Sequence, residues 1–356
     1  MRLVKFDSDK KCIDDFINIT KKLYSAKTNM EDEGTIRQFL TDTHFLSRYI
    51  TLDKFLVYRQ DEVAGRFAIT QYPEDKDACY IGFFECIDDA KVAEFIFENA
   101  DSFAKEHGYK KLIGPVDASF WNKYRLKINL FDGLPYTGEP YNKDYYYKMF
   151  LDNGYGVKEH YVSNIFEKID ETYHNDKFTS HFDEFAQKGY EIISPKKKDF
   201  DKCIEEVYYL IMDLYSSFPM FKMLDKDDFI SMFSSYKSIV NMDMVKMAYY
   251  KGKVVGFCIS VPNYHNRVYH LTPLNILKIL WTRKHPREYV MPYLGADRQH
   301  KGLGKAIAYC VAGELKKNNL PSISALIRDG NININYGEEK ITDRYEYVLM
   351  EKELND

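Results

Sequence analysis

Two segments of the chain, 191 residues apart, carry the same hairpin pattern. Residues 54–70 read as two apolar runs around the polar turn Gln60-Asp61-Glu62, and residues 245–261 repeat the plan. The offset sets Tyr58 on Tyr249, Val63 on Val254 and Gly65 on Gly256. Apolar runs divided by a short polar turn pair as antiparallel strands, but an isolated hairpin is at best marginally stable in water. A pattern that occurs twice therefore asks for two similar units, each covering its hairpin with helices. At 356 residues the chain has the length for two domains of ordinary size.

The neighbouring elements recur in the same order. In the first half, helical periodicity over 12–24 and 35–49 precedes the hairpin, and an apolar strand at 80–86 follows. An amphipathic helix over 88–106 comes next, with Val92, Phe95, Ile96, Ala100, Phe103 and Ala104 at helical spacing. The second half has helices over 200–217 and 227–236, a strand at 289–296, and a helix over 303–317 that buries Ala306, Ile307, Cys310, Val311 and Leu315. The expected fold class is α/β (α+β): two tandem units, 1–170 and 171–356, each a mixed, mostly antiparallel sheet flanked by helices. The break is expected in the polar run near Asp170. Two generic α+β domains that share only a hairpin remain the other reading.

Composition narrows the function. A net charge of −4 and a pI near 6.2 give no global pull toward nucleic acid or an anionic membrane, so an acidic ligand needs a local site. No apolar stretch is long enough to span a bilayer. Residues 1–7 carry no signal-peptide features, and a cytoplasmic location is expected. The six cysteines include no CxxC pair and read as reduced thiols; the nine histidines include no HExxH, so no metal is expected. The second half carries an insert at 270–288 with a short amphipathic segment over 275–284. It reads as a lid or inter-domain packing helix rather than a membrane-surface helix, because two and a half turns hold a bilayer poorly. No membrane partner is expected.

The sharpest signal is Arg298-Gln299-His300-Lys301-Gly302-Leu303-Gly304-Lys305-Ala306, between a strand and an amphipathic helix. Glycines there allow a tight turn and close ligand approach, and the first amides of a helix form an anion site at the positive end of its dipole. Arg298, Lys301 and Lys305 add three cations, which suits a diphosphate. A P-loop needs GxxxxGK followed by Ser or Thr, and no such match occurs. A dinucleotide turn needs GxGxxG, but Ile307 stands at the third glycine. Asp329 could imitate the ribose-binding acid, yet residues 305–356 are too few for the second half of a dinucleotide sheet.

The segment resembles the coenzyme-A signature of the GCN5-related N-acetyltransferases, (Gln/Arg)-x-x-Gly-x-(Gly/Ala), through Gln299, Gly302 and Gly304. The order hairpin, strand, signature, helix, short strand agrees with it. The first half adds Gly114-Pro115-Val116-Asp117-Ala118-Ser119, then Phe131-Asp132-Gly133, then Pro140-Tyr141-Asn142-Lys143-Asp144-Tyr145-Tyr146. These resemble a bacterial family of tandem acetyltransferase-like proteins of the form GPxxxS…GF…PYNxxYY…GF. Here Gly133 follows Phe131 rather than preceding it, and Asn153-Gly154-Tyr155 replaces the terminal Gly-Phe.

The resemblance implies direct attack of an amine on an acyl thioester, with acetyl-CoA or another acyl-CoA as cosubstrate. It sets the diphosphate on the amides of Gly302, Leu303, Gly304 and Lys305, near Arg298, Gln299 and Lys301, with the pantetheine arm along Leu294-Gly295-Ala296. Members often place a Tyr acid after the next strand. Tyr336, following Asn331, is the nearest match here, and plain packing is the competing role. Glu338 and Glu339 read as solvated loop charges, and no base is assigned. In the first half, Cys86-Ile87-Asp88-Asp89-Ala90-Lys91 has no glycine and sets two carboxylates where the diphosphate would sit, so no coenzyme is expected there. Tyr141, Tyr145, Tyr146 and Tyr147 line an acceptor cleft or pack between helices. The expected activity is N-acylation of a small-molecule or peptide amine, with no nucleic-acid partner. The alternative is a catalytically silent CoA-binding sensor or scaffold. Aminoacyl transferases of the peptidoglycan-bridge type also use tandem units, but they need a basic groove for tRNA, and no such cluster occurs here.

Overall fold

Both hairpins form, and each lies against a helix at the glycine that the repeat aligns. In the computed structural model, which describes residues 1–354, the chain divides into two units. Unit 1 holds Met1–Pro135, Glu139–Tyr161 and the residues from Glu346 on; unit 2 holds Tyr136–Gly138 and Val162–Tyr345. Asp170 therefore lies inside unit 2. The polar run that marks it in the sequence is a turn leading into a helix, whose first amides are capped by Asn175 (Phe178 N–H to Asn175 Oδ1, 3.0 Å).

Unit 1 contains β1 (Arg2–Phe6), α1 (Lys10–Leu23), α2 (Glu33–Leu40), the hairpin β2 (Thr51–Arg59) and β3 (Glu62–Gln71), β4 (Ala78–Cys86), α3 (Ala90–Glu106) and β5 (Lys111–Gly114). The short β6 (Val116–Asp117), β7 (Lys123–Tyr124), β8 (Leu126–Lys127) and α4 (Tyr146–Asp152) follow, then the first part of β9 (Gly156–Phe166). The helix expected over 35–49 is instead α2 and a separate 3-10 turn, Phe45–Arg48, with Asp42 at positive φ between them. β1 to β4 are antiparallel, β4 and β5 parallel, and β5 pairs antiparallel with residues 350–353 of the last strand. α3 covers the hairpin with Val92, Ala93, Ile96, Phe97, Ala100, Phe103 and Ala104, all buried.

Unit 2 contains α5 (Asp176–Gln187), β10 (Tyr190–Ile193), α6 (Phe200–Tyr215), α7 (Lys226–Ser234), the hairpin β11 (Val245–Tyr250) and β12 (Lys253–Pro262), α8 (Pro273–Lys284), β13 (Tyr289–Ala296), α9 (Leu303–Asn318) and β14 (Ser322–Arg328). The first part of β15 (Ile341–Glu353) belongs here as well. β10 to β13 are antiparallel and β13 runs parallel to β14. A sheet with this one parallel pair beside an antiparallel run is not a doubly wound dinucleotide fold.

The two units share close packing details. A Cβ at Gly65 would lie 2.7 Å from Ile96 Cδ1 of α3, and one at Gly256 would lie 2.8 Å from Ile307 Cδ1 of α9. Ile87 N–H donates to Ala64 C=O (3.0 Å), and Asp297 N–H to Val255 C=O (2.8 Å). The aligned glycines are thus contact points where a helix lies directly on the hairpin backbone.

Candidate functional site

In unit 2 a strand edge opens beside a helix start. β13 pairs with β14 only at Tyr289↔Ser322, Val290↔Ile323 and Met291↔Ser324. Pro292 follows, with no N–H to continue a ladder. The register with β12 also shifts between Ile259 and Val261, a bulge that turns the strand. β14 diverges in turn: Leu326 adopts φ +60°, and its N–H donates to Ser163 Oγ (2.9 Å). Leu294, Gly295 and Ala296 stay paired with Cys258, Phe257 and Gly256, while no strand pairs with their opposite edge among the described residues.

The chain runs from that edge into a braced turn. The Asp297 carboxylate accepts Gln299 N–H (2.8 Å), Asp297 C=O accepts His300 N–H (2.9 Å), and Tyr190 Oη bonds His300 Nδ1 (2.6 Å). Gly302 caps α9 at φ +97°, where other residues are strained. Leu303 N–H donates to His300 C=O (3.1 Å) and Lys305 N–H to Gly302 C=O (3.0 Å). Those two amides, expected on an anion, are therefore used within the turn, because the chain tightens into the first turn of the helix. Leu303 is instead a fully buried packing residue against Gly256. Arg298 and Lys301 are exposed, Lys305 is half-buried, and none has an ion-pair partner among the described residues. Gln299 is exposed beside them.

Across from α9, β14 leads into a 3-10 turn, Ile332–Asn335, capped by Asn331, so that segment forms no α-helix. Tyr336 follows with its hydroxyl 3.0 Å from where a Gly304 Cβ would be and its ring edge-on to Phe178. Burial pushes the Tyr336 hydroxyl pKa up, which keeps it protonated at neutral pH. A polar cleft of about 800 Å³ is lined by Lys305, Asn331, Tyr336 and Lys177, with Asp329 and Glu338 on its wall. Behind Tyr336 lies an apolar cavity of about 90 Å³ lined by Leu294, Met291, Val311 and Ala312. The structure thus brings Lys305, Asn331 and Tyr336 to one cleft. The helix start is crowded on its other side by His181 of α5, 2.5 Å from a Gly302 Cβ position. Neither α5 nor His181 is among the sequence expectations; the Asn175 cap followed by Phe178, Phe182 and Phe185 is the local mark of that helix.

In unit 1 the equivalent places are filled. β4 pairs with β5 at Ala78↔Lys111, Cys79↔Leu112 and Tyr80↔Ile113 and then diverges, as β13 does. Here β6 closes the gap: a Gly82 Cβ would sit 1.7 Å from Val116 O, and Asp117 accepts Phe83 N–H (2.5 Å). At the helix start, Asp89 accepts Lys91 N–H (2.9 Å) and pairs with Arg59 (2.6 Å). The carboxylate anticipated there caps the helix itself, and its pKa is held down chiefly by the Lys91 N–H bond.

The PYNxxYY segment packs within unit 1. Asn142 Oδ1 accepts Lys127 N–H (2.7 Å) and its Nδ2 donates to Lys127 C=O (3.1 Å), while Lys127 and Glu139 form a buried ion pair (2.7 Å). Tyr145 Oη donates to Cys86 C=O (2.9 Å), Tyr146 Oη accepts Cys86 N–H (3.0 Å), and Tyr147 packs on the core. Tyr141 lies near Tyr24, with ring centroids 6.2 Å apart. Tyr145 and Tyr146 therefore satisfy the end of β4, and Tyr145, Tyr146 and Tyr147 pack with the core around α4.

No family model matches the chain. Protein YghO of Escherichia coli (strain K12) is 23% identical over 258 residues, 68% of this chain, and the chain spans 63% of that protein's length. Among solved structures, a tandem GNAT protein from the clavulanic acid biosynthesis pathway superposes with a TM-score of 0.54 at 11% identity, covering 100% of this chain and 99% of that one. A GCN5-related N-acetyltransferase from Anabaena variabilis ATCC 29413 gives 0.50 at 9% identity, over 99% of this chain and 73% of that one. The chain has the tandem acetyltransferase fold.

Proposed function

We propose that unit 2 binds an acyl-CoA, acetyl-CoA first, and transfers its acyl group to the amine of a small molecule or peptide. The observation that carries this reading is the continuity of the unpaired edge Leu294-Gly295-Ala296 with a left-handed Gly302 turn bearing three unpartnered cations. The edge offers main-chain donors and acceptors to an extended pantetheine arm, as a sheet edge does to an added strand. A backbone N–H on it would polarise the thioester carbonyl. The amides of Gly302 and Gly304 would hold the diphosphate, and Arg298, Gln299, Lys301 and Lys305 would supply charge and hydrogen bonds.

Direct attack forms the amide C–N bond and breaks the C–S bond. The leaving thiolate then needs one proton, and the amine nitrogen sheds one to water, since no side-chain base is assigned. Tyr336, held protonated by burial at the first turn of α9, is the proposed donor. Asn331 lines the same cleft and fits as a polar contact to the coenzyme. Unit 1 serves as a degenerate acetyltransferase-like domain without a coenzyme, and a cytoplasmic location goes with the reading. The test is thiol release from acetyl-CoA, followed with a thiol reagent, across a panel of primary amines. Amine-dependent release supports the transferase. Coenzyme binding without release for any amine supports a silent sensor instead.

A further inference from the structure

The insert helix α8 buries only Ile279. Leu271, Leu274, Ile276, Leu277, Leu280 and Trp281 are left 43–65% exposed. At 100° per residue, Leu274, Leu277 and Trp281 share one side with Leu280 at its edge, Ile279 points the other way, and Ile276 lies between Leu280 and Ile279. Soluble surfaces seldom carry so many large apolar side chains together without a partner. The helix is also preformed: Thr272 Oγ1 accepts Asn275 N–H (3.2 Å), Pro273 opens the first turn, and Arg283 is tied to Ser238 C=O (2.7 Å). Binding through it costs no ordering of a coil.

The charges around the strip have one sign. Residues 267–287 include Arg267, Lys278, Arg283, Lys284 and Arg287 but no Asp or Glu, in a chain whose net charge is −4. Lys278, Lys284 and Arg287 are exposed. A two-fold contact between copies of this face would oppose like charges, whereas anionic headgroups complement it. Trp281, apolar with one polar N–H, suits the interfacial zone. No described helix is long and apolar enough to cross a membrane, so the contact is one of the surface.

Against the expectation drawn from the short segment 275–284, the helix starts at Pro273 and leaves its large apolar side chains exposed, and we propose that α8 docks this protein on an anionic lipid bilayer, with the Leu274-Leu277-Trp281 strip in the headgroup boundary and Lys278, Lys284 and Arg287 on the lipid phosphates. The test is co-sedimentation of the full chain with phosphatidylcholine vesicles, with and without phosphatidylglycerol. Of the chain's two tryptophans, Trp121→Phe leaves Trp281 as the sole fluorophore. The expected result is pelleting with the anionic vesicles alone and a blue shift of Trp281 emission. Lys278→Gln/Lys284→Gln should weaken partitioning roughly thirtyfold, at about 1 kcal/mol per cation. Leu277→Ser/Trp281→Ser should abolish it with unchanged circular dichroism, since both residues are exposed. Absence of pelleting with anionic vesicles overturns the proposal, as does equal pelleting with neutral ones. A concentration-dependent dimer that Leu277→Ser/Trp281→Ser dissolves would overturn it in favour of a second copy.

Discussion

Asp117 accepts the Phe83 N–H at 2.5 Å at the point in unit 1 that corresponds to Leu294 in unit 2. Both strands leave their parallel partner after three residue pairs. In unit 1 the chain's own carboxylate takes the freed amide; in unit 2 no strand takes the edge. The asymmetry between the repeats is thus a matter of which backbone donors remain available. Asp117→Ala should leave Phe83 N–H buried without an acceptor and cost about 1–3 kcal/mol. A lower unfolding midpoint with unchanged coenzyme affinity is the expected outcome. An unchanged midpoint would show that the bond contributes nothing.

Arg298→Glu/Lys301→Glu should weaken coenzyme binding by about 10²-fold or more, because charged donors to a phosphate are each worth about 1.5–3 kcal/mol. Both residues are exposed, so thermal stability should hold. Gly302 is a poorer probe, since its positive φ and the nearby His181 would strain any replacement and mix folding with binding. Titration calorimetry on the charge variant beside wild type checks this.

The glycine contacts can be tested by a double-mutant cycle. Gly256→Ala places a methyl 2.8 Å from Ile307 Cδ1 and should cost about 1–3 kcal/mol. Ile307→Val removes that Cδ1 and should recover much of the loss in the double variant. Additive effects in denaturant unfolding would contradict direct contact.

The extent to which the sequence foretold this structure varies by feature. The hairpins, β13 and α9 fall where periodicity sets them, because apolar spacing reports burial directly. Gly65 and Gly256 align because each must admit a helix. The chain's crossings within β9 and β15 depend on long-range strand pairing, which leaves no local mark. α5 was hidden because its Asn175 cap lies in a polar run that reads equally well as a linker. The opening of β13 had a visible cause in Pro292, yet a proline in an apolar run signals an edge without saying which neighbour departs. The tyrosines of the PYNxxYY segment show the opposite limit: residue type suggested a cleft, and only the contacts with Cys86 reveal packing.

Glu85 in β4 is fully enclosed beside Arg66, accepting bonds from Tyr146 Oη (2.6 Å) and Tyr24 Oη (3.0 Å). Burial, the largest influence, raises its carboxyl pKa to about 7, with Arg66 opposing. The folded state therefore holds a proton that the unfolded chain releases above about pH 4.5. The stability this contributes is full below pH 4.5 and is lost as pH rises through 7. Thermal midpoints should fall between pH 5 and 8 in wild type, and Glu85→Gln should flatten that slope. A slope unchanged by the substitution would contradict the assignment.

Tyr336→Phe should retain coenzyme affinity and lower the chemical step by about 10²-fold or more if the hydroxyl protonates the thiolate. A purely packing Tyr336 would leave kcat within a small factor and shift only stability. Single-turnover thiol release with the variant distinguishes the two.

The most direct measurement is isothermal titration of the full chain with acetyl-CoA and, separately, NADH. The expected result is binding of acetyl-CoA at one equivalent per chain and no heat with NADH. The Arg298→Glu/Lys301→Glu variant should bind acetyl-CoA more weakly. Two equivalents would contradict the closure of unit 1, and absence of acetyl-CoA binding would contradict the coenzyme site in unit 2.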